Sequence, residues 1–189
     1  MTAFVVSDAK ASLRTELRAL LAAMPAEERL RASDRILSQL EALPEWQAAR
    51  RIMLYAPAPA EPAIDRLWSL NGQRLTGKEV CYPRVNGDGL EVRHVVSTAE
   101  LQIGRFGLRE PNPERTEKCD PATLDLVVVP GLAFTAEGVR LGRGGGFFDR
   151  FLAELPEGVA LIGTAFRLQM RETLPEEAHD QRMTRVLVG

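Results

Sequence analysis

The sequence has little of what marks several classes of protein. Only two cysteines occur among its 189 residues, Cys81 and Cys119, and they are far apart and form no CxxC pair. We therefore expect no disulfide framework and no zinc site, which suits a reducing compartment. No apolar run approaches the roughly 18 residues of a membrane helix, so we expect a cytoplasmic protein without a membrane partner.

A charge excess of either sign is also absent, because 24 Lys and Arg residues stand against 26 Asp and Glu residues. Proteins that bind nucleic acids usually carry a basic excess, and disordered chains combine high net charge with low hydrophobicity. This chain has a net charge of −2 and 45% hydrophobic residues. We expect a single folded domain over residues 1–189, acting as a monomer on small molecules rather than on nucleic acid.

Hydrophobic spacing predicts a pair of helices at the start of the chain. Ser7 and Asp8 are predicted to cap the first helix, and Pro25 is predicted to open a second helix that ends near Pro44. The predicted buried stripe of the second helix consists of Leu30, Ile36, Leu37 and Leu40.

Short apolar runs after the helix pair predict strands at residues 51–55, 79–82, 90–95, 124–129, 159–163 and 185–188. We expect the second strand to end at Pro83, and further helices to begin at Pro62 and to span residues 147–155. The unbroken apolar run at 124–129 is typical of a strand buried on both faces. This order predicts an α/β fold, a single three-layer domain with a mostly parallel sheet flanked by helices.

The densest functional signal is the segment from Arg140 to Arg150, which has four glycines in the five positions 142–146. Glycines lose much conformational entropy on folding, so they indicate a sharp bend or a close approach to a ligand. Free amides before a helix bind phosphate, and Arg140 and Arg143 would add charged donors. The segment is not a Walker A loop, because no Gly-Lys-Ser/Thr follows, and it is not a dinucleotide fingerprint, because Phe147 stands where the third glycine belongs. A flexible surface turn is the alternative.

Several other residues have both a functional and an ordinary interpretation. Asp149 could hold Mg²⁺ between phosphates or be a first-turn helix acid. Lys10 and Arg14 share one helix face, where they could bind an anion or be solvated. Glu61, which precedes a proline, could contact a ligand or cap a helix. His179, followed by an aspartate, could orient a proton carrier or lie in a polar loop.

Six segments in this order and within this length form a more specific pattern. They are Lys10-Ala-Ser-Leu-Arg14, the Glu61 loop, Phe106-Gly-Leu-Arg-Glu-Pro111, Asp125-Leu-Val-Val-Val-Pro-Gly-Leu-Ala-Phe134, Arg140-Leu-Gly-Arg-Gly-Gly-Gly-Phe-Phe-Asp-Arg150 and Leu174-Pro-Glu-Glu-Ala-His-Asp180. With them the sequence resembles the 5-formyltetrahydrofolate cyclo-ligase family over nearly its whole length. The resemblance implies closure of 5-formyltetrahydrofolate to 5,10-methenyltetrahydrofolate, dependent on ATP and Mg²⁺, through a phosphorylated formyl intermediate.

The resemblance also implies residue roles around the nucleotide. Lys10 and Arg14 would hold the ATP phosphates, and Asp149 would hold Mg²⁺. The nucleotide would be wrapped by Arg140, Leu141, Gly142, Arg143, Gly144, Gly145, Gly146, Phe147 and Phe148.

On the folate side, the resemblance implies that Arg143 and Glu61 are the catalytic residues. Arg143 would lie between ATP and the formyl group, and Glu61 would contact the pterin. Ala56 and Phe106 would add apolar contacts to the folate.

Two positions depart from the family pattern. Phe148 stands where the family usually has tyrosine, and Thr184 stands where many members have a metal-binding acid. They motivate one alternative, a divergent paralogue that binds ATP but acts on another formyl or amide compound. A separate alternative is a non-catalytic folate-binding protein.

Overall fold

The computed structural model describes residues 3–68, 74–177 and 180–189, with side chains from residue 8 onward, so His179 lies outside the described residues. The helices are α1 (Ala3–Ala23), α2 (Ala26–Ala42), α3 (Pro44–Ala48) and α4 (Phe147–Ala153). The strands are β1 (Arg51–Met53), β2 (Glu79–Asn86), β3 (Gly89–His94), β4 (Leu101–Ile103), β5 (Arg109–Pro111), β6 (Leu126–Val129), β7 (Ala133–Phe134), β8 (Arg140–Leu141), β9 (Ala160–Ala165) and β10 (Arg185–Val188). None of the helices in these ranges has the length and apolar character needed to cross a membrane.

A six-stranded sheet in the order β10-β9-β6-β1-β2-β3 forms the centre of the fold. Every neighbouring pair is parallel except β2 and β3, which form an antiparallel hairpin. Two small antiparallel hairpins, β4-β5 and β7-β8, lie outside it. The prediction of an α/β fold with a mostly parallel sheet is confirmed.

Consecutive side chains of β6 point to opposite faces of the sheet, and both faces are covered. Leu126 and Val128 pack in the cluster that includes α1 and α2. Val127 and Val129 pack in a second cluster that contains Phe151 of α4. All four residues are therefore buried, which explains the unbroken apolar run and gives the three predicted layers.

Some predicted details of the helices are wrong. Helix α1 begins at Ala3, so Ser7 and Asp8 lie inside it rather than capping it. No proline or glycine between Ala3 and Ser7 interrupts the helix. Leu30 is 45% exposed and does not belong to the buried stripe of α2. The segment predicted as a helix after the proline at position 62 is a short 3₁₀ turn, Ile64–Trp68.

The prediction that β2 ends at Pro83 is also wrong, because the strand continues through it to Asn86. Pro83 pairs with Val92 of β3, whereas the pairing of β2 with β1 stops at Cys81. On the β1 side Pro83 therefore lies at an open edge, where a missing N–H leaves no partner unsatisfied.

The order of the strands places a crevice at the middle of the sheet. Strands β1 and β6 are parallel neighbours, but the chain leaves β1 toward β2 on one side and β6 toward β9 on the other. In open α/β sheets, ligands bind outside the carboxyl ends of two such strands. Residues 54–63 follow β1 and Pro130 follows β6, so both segments lie at this edge.

Candidate functional site

A cleft of about 370 Å³ lies at this carboxyl edge. One end is polar and includes Arg143 and Asp149, whereas the other is lined by the side chains of β2, β3 and the turn before β5. Ala56 and Glu61, from the segment after β1, also line it. Residues predicted from distant parts of the sequence thus meet in one cleft.

Residues 142–146, here called the glycine loop, connect β8 to α4. Two arginines of α1 hold its carbonyl groups: Arg14 Nε donates to the Gly142 oxygen at 3.0 Å, and Arg18 Nη2 donates to the Arg143 oxygen at 2.9 Å. In a trans peptide the C=O and the following N–H point in opposite directions. The amides of Arg143 and Gly144 therefore point away from α1, and neither donates to an acceptor among the described residues.

Two glycines of the loop have backbone angles that other residues rarely adopt. Gly144 has φ +102° and Gly146 has φ +68°. A Cβ atom at Gly144 would also lie 3.4 Å from Nε of Arg14. Gly146 precedes α4, which has only seven residues. Since so short a helix contributes little dipole, loop amides and side chains supply most of the positive potential at this end.

Arg143 joins the glycine loop to the segment that follows β1. Its Nε and Nη2 atoms each lie 2.8 Å from Oε1 of Glu61. The other carboxylate oxygen of Glu61 accepts the Ala58 amide at 2.9 Å. The Glu61 side chain is only 7% exposed, whereas that of Arg143 is 42% exposed. A buried, oriented carboxylate therefore fixes a guanidinium that still reaches the cleft.

Arg140 lies beneath the cleft and supports Asp149. Its guanidinium donates to the Pro130 carbonyl at 3.0 Å and to Oδ1 of Asp149. Burial lowers the pKa of Arg140, and the Asp149 carboxylate acts in the opposite direction. Asp149 is thereby oriented at the cleft with its second oxygen accepting no hydrogen bond from the described residues. Direct contact between Arg140 and a nucleotide stays a prediction.

Lys10 links α1 to the segment near the C-terminus. It is 7% exposed, and its Nζ donates to Glu177 at 2.7 Å and to Asp180 at 3.0 Å. Burial lowers the pKa of Lys10, but its bonds to these carboxylates outweigh that effect and leave the pKa above its ordinary value. Lys10, Arg14 and Arg18 thus follow one face of α1 at intervals of four residues. Contact of Lys10 with phosphate stays a prediction.

The chain offers a magnesium ion few ligands of its own. No group of three or more His, Cys, Asp or Glu side chains within the described ranges could hold a metal. The Thr184 hydroxyl accepts a hydrogen bond from the Leu161 amide at 3.0 Å, near the amino ends of β9 and β10. Thr184 therefore lies at the end of the sheet opposite the cleft. The donor set fits Mg²⁺ bound by one carboxylate, Asp149, with phosphate oxygens and water completing the shell.

The other end of the cleft is formed by Pro83, Val85, Leu90, Phe106 and Leu108, here called the apolar wall. Phe106 is 64% exposed and has φ +64°, a strained angle for a residue that is not glycine. Its ring contacts Phe147 of α4 at a centroid distance of 5.9 Å. The predicted site residue Phe106 therefore joins the apolar wall to the polar end.

Three residues at the site were missed by the sequence analysis. Arg18 continues the four-residue spacing of Lys10 and Arg14, so this spacing could have indicated it. Tyr55 lines the cleft, and its hydroxyl lies 3.0 Å from Oγ1 of Thr164. Burial raises the pKa of Tyr55 well above its ordinary range, so it is a neutral hydrogen-bonding group. Glu110 lines the cleft from β5, a strand that no sequence pattern indicated.

Comparison with known proteins identifies the family of this chain. A sequence model described as the 5-formyltetrahydrofolate cyclo-ligase family matches residues 6–189. A 5-formyltetrahydrofolate cyclo-ligase of Mus musculus is 28% identical over 198 residues, covering 99% of this chain and 97% of that protein. One of Haemophilus influenzae is 30% identical over 182 residues, covering 94% and 96%.

Solved structures are similar as well. The NMR structure of Aquifex aeolicus 5,10-methenyltetrahydrofolate synthetase has a TM-score of 0.81 and 34% identity, and the match covers 95% of this chain and 89% of that one. A 5,10-methenyltetrahydrofolate synthetase of Mycoplasma pneumoniae has a TM-score of 0.75 at 22% identity, covering 94% and 97%. The second likeness concerns the fold alone.

Proposed function

The chain belongs to the 5-formyltetrahydrofolate cyclo-ligase family of ligases, and we propose on that premise that it converts 5-formyltetrahydrofolate to 5,10-methenyltetrahydrofolate, using ATP and releasing ADP and phosphate. The observation that carries the proposal is the position of Arg143. Its peptide belongs to the glycine loop, and its side chain is fixed by Glu61 across the same cleft. We also propose that the protein acts as a monomer in the cytoplasm.

The proposed reaction begins with transfer of the γ-phosphoryl group of ATP to the N5-formyl oxygen. This step turns a poor leaving group into a phosphate ester and releases ADP. N10 then attacks the formyl carbon, and this new bond closes the five-membered ring. N10 loses its proton, the carbon–oxygen bond breaks, and phosphate leaves with the former formyl oxygen. Phosphoryl transfer depends mainly on positioning and charge neutralisation, so it needs fixed donors.

Different residues of the chain would bind the phosphates, the formyl oxygen and the pterin. Arg14 and Arg18 hold the two preceding carbonyl groups toward α1, so the amides of Arg143 and Gly144 point away from it. These two amides would donate to phosphate oxygens. The Arg143 guanidinium would stabilise charge between the γ-phosphate and the formyl oxygen. Glu61 would keep that guanidinium in place and present its carboxylate to the pterin.

Magnesium would be held by Asp149, which Arg140 orients from below. Bound there, Mg²⁺ would neutralise charge on the phosphate oxygens of the nucleotide. Because Asp149 is the carboxylate available at this point, most of the remaining ligands must come from phosphates and water.

Phe148 supports a second candidate, a paralogue that binds ATP but acts on a different formyl or amide compound. The Phe148 ring lines the cleft with the Arg140 guanidinium 5.9 Å from its centroid, so it offers no hydroxyl to a substrate there. Calorimetric titration distinguishes the candidates: this paralogue would bind ATP without detectable binding of 5-formyltetrahydrofolate. A non-catalytic folate-binding protein would bind folate and release no ADP.

The proposed activity can be followed by the ultraviolet absorbance of the methenyl product. We expect product to form from 5-formyltetrahydrofolate when both ATP and Mg²⁺ are present, with one ADP and one phosphate released per ring closed. Reactions without ATP, or with an ATP analogue whose γ-phosphate cannot be transferred, serve as controls. Product formation in either control, or none in the complete reaction, would contradict the proposal.

A further inference from the structure

Glu110 is a charged residue enclosed at the apolar end of the cleft. It lies in β5 opposite Gln102 of β4 and is 6% exposed. Its carboxyl group packs against the backbone of Gly104, where an added Cβ atom would lie 2.4 Å from Oε2 and 2.5 Å from Cδ of Glu110. Gly104 has φ −105°, an angle open to any residue. A methyl group at this position would therefore displace the Glu110 carboxyl group, although the backbone angle itself accepts other residues.

The Glu110 carboxylate lies between two separate pieces of backbone. The amides of Val85, in β2, and Arg105, in the turn before β5, face it and, with the charges of Arg84 and Arg105, favour its ionised form, while burial acts more strongly and raises the Glu110 pKa. The Arg105 guanidinium also donates to the Gly87 carbonyl of the β2-β3 hairpin at 2.9 Å. Loss of a buried polar group that faces both pieces is costly, so we expect both to be affected by its removal.

These two pieces together make the whole apolar wall. The β2-β3 hairpin carries Pro83, Val85 and Leu90, and the turn at residues 104–108 carries Phe106 and Leu108. The turn is closed by the Gly104 amide, which donates to the Leu108 carbonyl at 2.8 Å. The tip of the turn has the unfavourable φ of +64° at Phe106, so it needs external support to stay in this conformation.

We propose that Glu110 is a positioning residue that sets the affinity for the folate by fixing the turn at residues 104–108 against the β2-β3 hairpin. The inference rests on the proposed function and deepens it. The Glu110 carboxyl group packs against the Gly104 backbone and faces backbone amides rather than the centre of the cleft, so its effect is exerted through the position of Phe106 and Leu108. The glycine loop is held by arginines of α1, so nucleotide affinity should not depend on Glu110.

The test compares Glu110→Gln, Gly104→Ala and Glu114→Gln in steady-state kinetics. The amide in Glu110→Gln presents a donor where two backbone N–H groups need acceptors, and the methyl group in Gly104→Ala displaces the carboxylate. We expect either change to raise the KM for 5-formyltetrahydrofolate about three- to tenfold, with kcat and the KM for ATP within about twofold of the original. Glu114, an exposed acid beyond β5, is the matched control and should leave all three constants unchanged.

A double-mutant cycle tests the contact itself. Glu110→Ala removes the carboxylate and leaves room for a methyl group, so Gly104→Ala should do little further harm in that background. Additive effects of the two changes would overturn the steric coupling. A KM for the folate that stays constant in Glu110→Gln, or equal increases in both KM values, would overturn the positioning role.

Amide hydrogen exchange provides a readout that needs no catalysis. Peptides covering residues 101–111 should exchange faster in Glu110→Gln than in the original protein, while peptides covering residues 140–150 should not change. If the original protein fails to convert 5-formyltetrahydrofolate but this difference appears, the proposed function fails and the positioning role of Glu110 stands. Unchanged exchange at residues 101–111 would overturn that role independently of any activity.

Discussion

The two ends of the cleft are stabilised in different ways. At the polar end, the charged side chains have specific partners: Arg143 is paired with Glu61, and Arg140 with Asp149. The apolar wall has side chains without polar groups, and its two pieces are joined behind it by the Glu110 carboxylate and by the hydrogen bond from Arg105 to the Gly87 carbonyl. Phosphate must be bound by directed donors, whereas an aromatic heterocycle can be bound by shape and area.

This difference predicts which kinetic constant each substitution changes. Residues that hold the phosphates should affect ATP, residues of the apolar wall should affect the folate, and a residue placed between the phosphates and the formyl group should affect the chemical step. We expect Arg143 to have that last role, because its backbone belongs to the glycine loop and its side chain is fixed by Glu61 from the segment after β1.

Arg143→Ala should have the largest effect. Removal of a fixed donor from a developing charge typically costs about 10²- to 10³-fold in kcat, and we expect a loss of that size. The KM values for ATP and the folate should change much less, since the loop amides and the apolar wall remain. The measurement is steady-state turnover followed by the absorbance of the methenyl product.

The control for this variant is Arg31→Ala on α2, where the arginine side chain is 70% exposed and paired with Glu27. Its kcat should equal that of the original protein. A turnover number in Arg143→Ala that stays within about threefold of the original would show that Arg143 has no role in the chemical step.

Phe106 tests the apolar wall with a smaller expected effect. Phe106→Gly removes the ring but relieves the strained φ of +64°, so the free energy of unfolding should not fall. Loss of the aromatic contact should raise the KM for the folate by about tenfold, while the KM for ATP stays constant. Urea denaturation and steady-state kinetics together check both parts.

Phe106→Leu keeps an apolar side chain at the strained angle and is the matched comparison for Phe106→Gly. We expect it to bind the folate better than the glycine variant and to be no more stable than it. If both variants bind the folate as tightly as the original protein, the apolar wall does not contact the substrate.

The sequence indicated the polar end far better than the apolar wall. Phosphate chemistry restricts residue types, so glycines and arginines in residues 140–150 and the acid Asp149 stand out even without a structure. The apolar wall is built from common residues on a hairpin and a turn, whose positions depend on strand order. That order is set by long-range pairing, such as β1 with β6, which no local pattern reveals.

The same reasoning explains the individual errors in the strands and helices. Pro83 indicated a strand end because the partner strand was unknown. Only the pairing of β2 with β1 and β3 shows that the missing N–H of Pro83 lies on the side of β2 that has no partner strand at this point. The place of Thr184, where the family pattern has a metal-binding acid in many members, is likewise visible only from strand pairing: it lies near the amino ends of β9 and β10, at the end of the sheet opposite the cleft.

Arg18→Ala should have the smallest effect and tests how the polar end is built. Arg18 holds the Arg143 carbonyl from an exposed position on α1, so its removal should loosen the glycine loop without removing a phosphate ligand. Loss of one such hydrogen bond predicts about a threefold rise in the KM for ATP.

The KM for the folate in Arg18→Ala should stay constant, because the apolar wall is formed by the β2-β3 hairpin and the turn at residues 104–108 and not by α1. Arg18→Lys separates the two possible origins of the effect, since lysine keeps the charge but cannot reproduce the directed Nη2 bond. If lysine restores the original KM, Arg18 acts through its charge on the nucleotide. If it fails to restore it, Arg18 acts by holding the Arg143 peptide, and the amide donors of the glycine loop are positioned from α1.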